Sequence, residues 1–308
     1  QVFVQKRQLG GGSPTLRGFA ANRVLIVVDG VRMNNAIFRS GNLQNIISID
    51  PSSLQEAEVI FGPGSVIYGS DALGGVMDFH TLTPGYSYDG FKVKGKTMLR
   101  YSSANDEKTG HIDLQLSGKR LGFVSSFTFS DYGDLKTGSK FDPAYGDFGK
   151  RFQYADRVNG QDVLVPNDNI SVQRYTGFSQ WNAINKLKYH LNKSVELSYG
   201  LLHSNTSNFP RYDRLAQPAG NGLRSAEWYY GPQKRLFISP QLKVFFGKNW
   251  LQKGTFTAAY QNIEESRINR KFGSITRSYQ NENVDVFSFN ADFNGSLNDK
   301  HSFSYGIE

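Results

Sequence analysis

From about residue 91 onward, apolar and polar residues alternate one by one. Ile112, Leu114 and Leu116 alternate with His111, Asp113, Gln115 and Ser117. Val195, Leu197, Tyr199 and Leu201 alternate with Glu196, Ser198 and Gly200, and Phe287, Phe289, Ala291 and Phe293 with Ser288, Asn290, Asp292 and Asn294. A period of two belongs to a strand with two unlike faces, and a helix cannot present it. Similar faces run through 123–129, 175–191, 236–246, 256–260 and 303–307, and with one over 92–101 they make about nine strands.

The connections narrow the choice. Short turns fall near 118–120, 191–194, 247–249 and 298–300, and longer connections at about 102–110, 131–172, 203–233 and 264–283. Regular alternation of short and long fits a membrane barrel, with tight turns on the periplasmic end and extended loops outside. Tyr101, Tyr132, Tyr175 and Trp250 fall near strand ends, where interfacial aromatic girdles are expected. The longest obvious apolar run is only Val24–Val28, so a membrane-spanning helix is excluded while a barrel is not.

Composition removes other classes. The 308 residues include 14% aromatics and 32 glycines but only 38% hydrophobic residues, a balance rich in strand and turn formers. With no cysteine there are no disulfides or thiolate metal sites. The net charge of +8 comes from scattered residues without a basic run of five, which reads as a solvated or lumen-facing surface and not as a nucleic-acid partner. The segment Gly90–Thr97, GFKVKGKT, fits the phosphate-loop pattern, yet it alternates as a strand and no helix follows, so no nucleotide is expected. Asp147-Phe-Gly149 resembles a kinase metal motif but sits in a long loop. Asp113, Glu196 and Asp292 lie on polar strand faces, and nothing forms a nucleophile–base pair. No catalytic residue, no metal site and no enzyme are expected.

Residues 1–84 read differently, as a mixed region with short strands over 24–29, 56–60 and 76–79. Pro51 is placed to open a short helix, and small residues fill 68–75.

Three elements of this region resemble the plug domain of TonB-dependent outer-membrane receptors. Leu16-Arg-Gly-Phe19 is similar to the family's IRGF element, and Arg23–Arg32, RVLIVVDGVR, to its strand and turn. Val59–Ser70 followed by Ala72–Val76 resembles its VIRGPASVLYGSxAIGGVINI segment. The plug-motif residues carried over are Arg17, Gly18, Asp29, Gly30, Gly62, Pro63, Tyr68, Gly69, Ser70, Gly74 and Gly75. The resemblance implies a mainly β chain: a transmembrane β-barrel, 22-stranded in the family, with an N-terminal α+β plug inside its lumen. On that reading, 1–84 is the plug with its N-terminal part missing and 91–308 a partial barrel. The chain is then expected to be a truncated fragment, which agrees with the lack of a starting methionine or secretion signal at Gln1. One departure is Phe61, where the family has a second arginine that is thought to join the first, here Arg17, in meeting barrel carboxylates.

The resemblance further implies TonB-dependent active uptake of a scarce nutrient across the bacterial outer membrane. The expected partners are the TonB energy-coupling protein, outer-membrane lipid and an extracellular nutrient. No cofactor is held permanently, and the transported ligand is expected to be haem or an iron chelate such as a siderophore. Tyr68–Gly75 resembles the haem, haemoglobin and transferrin-receptor branch, and related wording occurs in cobalamin receptors, the alternative of the same fold. A soluble all-β surface binding module is the alternative of another class, against which the loop alternation argues. For haem, the axial-ligand candidates are His80 and His203, either of which also fits as an ordinary polar-face residue. In the 203–233 loop, Arg211, Tyr212, Arg214, Trp228 and Tyr229 suit a flat or anionic ligand, or else pack over their neighbours.

Overall fold

The computed structural model describes residues 2–5, 10–20, 23–33, 35–37, 45–62, 68–138, 140–298 and 300–308. At the start, β1 (Val2–Gln5), β2 (Ser13–Leu16) and β3 (Phe19–Ala20) form a small sheet. These strands of two to four residues are too short to show a period, so sequence patterning misses them. The chain then enters β4 (Val24–Val28) and turns at Asp29-Gly30 into β5 (Val31–Arg32).

The five apolar residues of β4 are buried on both faces. Val24, Ile26 and Val28 pack with Leu16, Met33, Ile49 and Phe79, while Leu25 and Val27 pack with Ala72 and Val76. Such a strand needs cover on both sides, and β6 (Leu54–Phe61) and β7 (Gly75–Thr81) complete a sheet of order β5-β4-β7-β6, with β4 and β7 parallel. Pro51–Ser53 forms a 3-10 turn after Asp50, whose Oδ1 accepts the Ser52 N–H at 2.9 Å. The strands and short helix expected in this region are therefore present.

The wall follows as a meander. β8 (Lys92–Ser102), β9 (Glu107–Ser117) and β10 (Leu121–Tyr132) pair in order. A long excursion then carries β11 (Leu135–Lys136), β12 (Gln153–Val158), β13 (Gln161–Pro166) and β14 (Val172–Gln173). The wall resumes with β15 (Phe178–Asn192) and β16 (Val195–Thr206). A second excursion holds β17 (Phe209–Pro210), β18 (Pro218–Ala219), β19 (Gly222–Leu223) and β20 (Ser225–Tyr230). β21 (Lys234–Lys248), β22 (Leu251–Lys271), β23 (Arg277–Asn298) and β24 (His301–Ile307) finish it. Among the described residues, nine antiparallel wall strands stand side by side, the number expected.

Two of the four long connections are shorter than expected. Instead of loops at about 102–110 and 264–283, the strands close through 103–106 and 272–276. Ladder hydrogen bonds need only backbone, so β22 and β23 keep pairing from Lys253 with Asn294 up to Arg270 with Arg277, through segments too polar to read as membrane strand. The girdle expectation is also corrected in part. Tyr101 and Trp250 are exposed at strand ends, but Tyr132 stacks on Phe178 at 4.6 Å inside the wall. Tyr175 lies in the first excursion at φ 62°, edge-on to Tyr154.

The wall is inside out compared with a soluble domain. Glu107, Thr109, His111 and Asp113 are buried, whereas Ile112 and Leu114 on the opposite face are exposed. Leu99 is 92% exposed while His111 is 4% exposed. Soluble proteins bury the apolar set; here the polar set lies against the plug and the apolar set points outward, as a hydrocarbon surround requires. Lys96 pairs with Asp113, and Arg100 Nε lies 3.5 Å from Glu107, so the phosphate-loop lookalike is a wall strand with its basic face toward the lumen.

Candidate functional site

Plug and wall meet through polar contacts supplied by the inward faces of the wall strands. Asp29, at φ 52°, accepts from Thr81 N at 3.0 Å and Thr81 Oγ1 at 2.8 Å. The same carboxylate pairs with Lys186 Nζ of β15 at 2.9 Å. Asp50 accepts the Thr128 hydroxyl of β10 at 2.6 Å, which leaves His111 Nδ1, 2.7 Å away, to donate to that oxygen. From β21, Arg235 Nη2 donates to Met33 O at 2.9 Å, and from β22 Gln261 Nε2 donates to Arg32 O at 2.9 Å. Asp29 belongs to the plug motif, whereas the wall partners Thr128, Lys186, Arg235 and Gln261 were not singled out in the sequence, although each stands on the polar side of a wall strand.

A strap over 82–91 joins the two parts. Its Tyr86 hydroxyl donates to Glu196 Oε2 at 3.1 Å, and its ring stacks on His190 with centroids 4.0 Å apart. Ser87 N donates to Gly118 O at 3.0 Å, so the strap crosses the wall at a short turn.

The motif residues are structural. Arg17 has φ 48°, is exposed, and lies over the Phe61 ring; Gly18, Gly30, Gly62 and Gly69 also have positive φ. Gly75 permits a close approach, since a Cβ there would stand 2.5 Å from Ile60 O at φ 136°. Gly74 N donates to Arg23 O, the Arg32 guanidinium donates to Tyr68 O, and Ser70–Ala72 makes a 3-10 turn. Pro63 lies outside the described residues.

The two haem-ligand candidates are not brought together. His80 is on β7 beside Asp78, with Nε2 3.7 Å from its Oδ2, within the lumen. His203 is on β16, on the face opposite the buried Ser204 and Thr206, and stacks on Trp181 at 4.6 Å. The wall separates the two rings.

The loop candidates divide into two sets. Arg211 is buried and grips Asp213 through Nε at 2.9 Å and Nη2 at 2.5 Å. It also lies 4.7 Å from the Trp228 ring and 3.3 Å from the Tyr230 hydroxyl, so its charge and donors are used within the loop. Tyr212 and Arg214 ride on the single helical turn Tyr212–Leu215, half-buried. Trp228 and Tyr229, together with Tyr175 of the first excursion, line a cavity of about 220 Å³.

An ion-pair chain frames that cavity. Arg270 donates to Asp162 Oδ2 at 2.6 Å, to Oδ1 at 2.8 Å, and to Glu227 Oε1 at 2.8 Å. Arg277 donates to Glu227 Oε2 at 2.7 Å. These contacts tie the β12–β13 hairpin to β20 and the wall. The Arg270 hydrogen bonds hold the Asp162 carboxyl below the usual carboxylate range; Arg277, then Arg270, do the same for Glu227.

The family described as TonB-dependent Receptor Plug Domain matches residues 1–76. A hemin receptor from Yersinia enterocolitica is 31% identical over 146 residues, 44% of this chain and 19% of that protein. The vitamin B12 transporter BtuB from Vibrio vulnificus (strain CMCP6) is 39% identical over 84 residues, 26% of this chain and 13% of that protein. Among solved structures, the copper transporter OprC superposes with a TM-score of 0.70 at 16% identity, over 99% of this chain and 40% of its own. The FrpB iron transporter from Neisseria meningitidis does so with 0.69 at 14%, over 99% and 43%. The chain thus spans under half the length of these barrels, whose agreement shows the fold. The relatives are receptors and transporters, not enzymes. Plug motif, plug family match and inverted wall agree: residues 1–76 match the TonB-dependent receptor plug domain, and the chain as a whole resembles the TonB-dependent outer-membrane receptors in sequence and fold.

Proposed function

We propose that this chain contributes the plug, over 1–84, and the first wall strands, from 91, of a receptor that imports an iron complex, haem or a siderophore, driven by TonB. The observation that carries the reading is the seam. A plug held to β10, β15, β21 and β22 by ion pairs and hydrogen bonds closes the lumen at rest, so passage needs work done on the plug. Coupling to TonB supplies such work in this family. The outer cavity at Trp228 and Tyr229 is the proposed first contact for ligand, because the excursions meet solvent before the plug does.

Cells lacking their own receptor and expressing the full-length protein would be given radioiron haem, a ferric siderophore or radiocobalt cobalamin. Uptake of an iron compound that stops on removal of TonB is the expected result. Uptake of cobalamin alone would move the substrate to the alternative, and TonB-independent uptake would overturn the mechanism.

A further inference from the structure

A cavity of about 300 Å³ lies between the Asp29-Gly30 turn and β15, β16, β21 and β22. Four lysines line it: Lys186, Lys188, Lys243 and Lys253. Two carboxylates answer them. Asp29 takes Lys186 at 2.9 Å, and Glu196 is shared by Lys188 at 3.5 Å and Lys243 at 3.8 Å. Glu196 is further engaged by the Tyr86 hydroxyl and lies 3.8 Å from His190. Lys253 has no ion-pair partner among the described residues. Four ammonium groups face Asp29 and Glu196, with Asp292 in electrostatic reach of Lys253, which still leaves an excess of positive charge within protein walls, where it acts more strongly than in water.

The remaining lining adds hydrogen-bond donors beside Pro84, Leu187 and Tyr199. Ser239, Thr255 and Thr257 contribute hydroxyls beside the lysines. Position matters as much as charge. Lys188, Lys243 and Lys253 stand near the short turns at 193–194 and 249–250, at the end of the wall opposite the two long excursions. An anion here has therefore already passed the outer loops, and the strap through Tyr86 borders the same lysines, with Lys188 Nζ 5.4 Å from the Tyr86 ring.

We infer that this cavity is an oxyanion site on the inner side of the seam, taking the carboxylate or phosphate groups of an anionic cargo as it leaves the plug. The cargo half of the inference rests on the uptake reading; the anion site does not. Among the described residues Lys253 makes no close ion pair, although Asp292 lies within its electrostatic reach; Lys243 shares one carboxylate with Lys188, and Lys186 is committed to Asp29.

The test uses the purified full-length receptor titrated calorimetrically with inorganic pyrophosphate at low ionic strength. The wild type is expected to bind it with an affinity that falls as salt rises. Lys243→Gln with Lys253→Gln should weaken binding by about tenfold or more, the scale of one or two lost charge-assisted contacts. Lys253→Arg should retain it. Unchanged affinity in the double variant, with barrel migration still heat-modifiable, overturns the site. In cells, the double variant should slow uptake of an anionic iron chelate several-fold while surface binding and uptake of a neutral chelate stay unchanged. Loss of pyrophosphate binding with no change in either uptake keeps the anion site and overturns its role for cargo. No uptake by the wild type would sink the transport reading alone, because the titration still decides the site.

Discussion

The guanidinium carbon of Arg17 stands 5.0 Å from the centre of the Phe61 ring. The resemblance alone places Arg17 against a barrel carboxylate and treats Phe61 as a lost contact, but the two side chains hold each other. Both are exposed, and an exposed cation–π pair is worth about 0.5–1 kcal/mol. A double-mutant cycle of Arg17→Ala and Phe61→Leu, read by denaturant unfolding, should return a coupling of that size. Additive single effects would mean that each residue acts on the plug separately. Arg17→Ala is still expected to loosen the plug more than Phe61→Ala, since only it removes a charge; leakage of a large antibiotic into cells reports this.

Asp29 and Lys186 form the most enclosed ion pair of the seam, with side chains 16% and 11% exposed. Removing one member strands the other charge, which costs about 3 kcal/mol for a largely buried pair. Lys186→Met should therefore lower plug-seating stability by about that amount and raise antibiotic leakage. Lys186→Met combined with Asp29→Asn should recover much of the loss. If Lys186→Met leaks no more than the wild type, the pair does not lock the plug.

How much of this was legible follows from what each feature depends on. The wall strands were readable because burial on one face writes a period of two into Ile112–Ser117 or Phe287–Asn294. The ends of β22 and β23 were not, since Glu264–Lys271 is held by backbone pairing that polar side chains do not advertise. The plug strands were readable from the apolar run of β4, and the motif glycines from their spacing. The seam was hidden for another reason: Lys186 and Arg235 look like any polar-face residue until Asp29 and Met33 O are brought to them from over 150 positions away. His203, a ligand candidate that also fits an ordinary polar-face position, falls on the outward face instead, because adjacent strand positions differ only in parity.

Parity can be tested on the first two wall strands. Cysteines replacing Lys94 and Lys96, on the lumen side, should react with a water-soluble maleimide in the full-length receptor. Cysteines replacing Leu99 and Ile112 should be protected by the bilayer. Equal labelling of both pairs would remove the barrel assignment. The same geometry forbids phosphate-loop chemistry, and nucleotide binding abolished by Lys96→Ala would contradict it.

The clamp around Arg270 should be sensitive to acid. Asp162 and Glu227 are both held below the usual carboxylate range when folded, so their stabilisation is complete above that range and is lost as pH falls through their lowered values. Proteolysis within 133–177 should stay slow from neutral pH down to the ordinary carboxylate range and accelerate only below it, read with an acid-active protease. Asp162→Asn should show the fast rate already at neutral pH. A slow rate in that variant would mean that the hairpin is held by contacts other than Arg270.

The second excursion separates residues that build the loop from residues that could meet a ligand. Arg211 is buried, satisfied by Asp213 and set over the Trp228 ring, so Arg211→Ala should act through folding: the loop becomes protease-sensitive and ligand affinity falls as a consequence. Tyr229 instead lines the open cavity with Trp228. Tyr229→Ala should then weaken ligand binding by about tenfold, the cost of an aromatic contact residue, without changing protease resistance. Titration of outer-membrane preparations with the ligand found by uptake, run beside limited proteolysis, distinguishes the two. If Tyr229→Ala binds as the wild type does while the loop remains ordered, recognition belongs to surfaces other than this cavity.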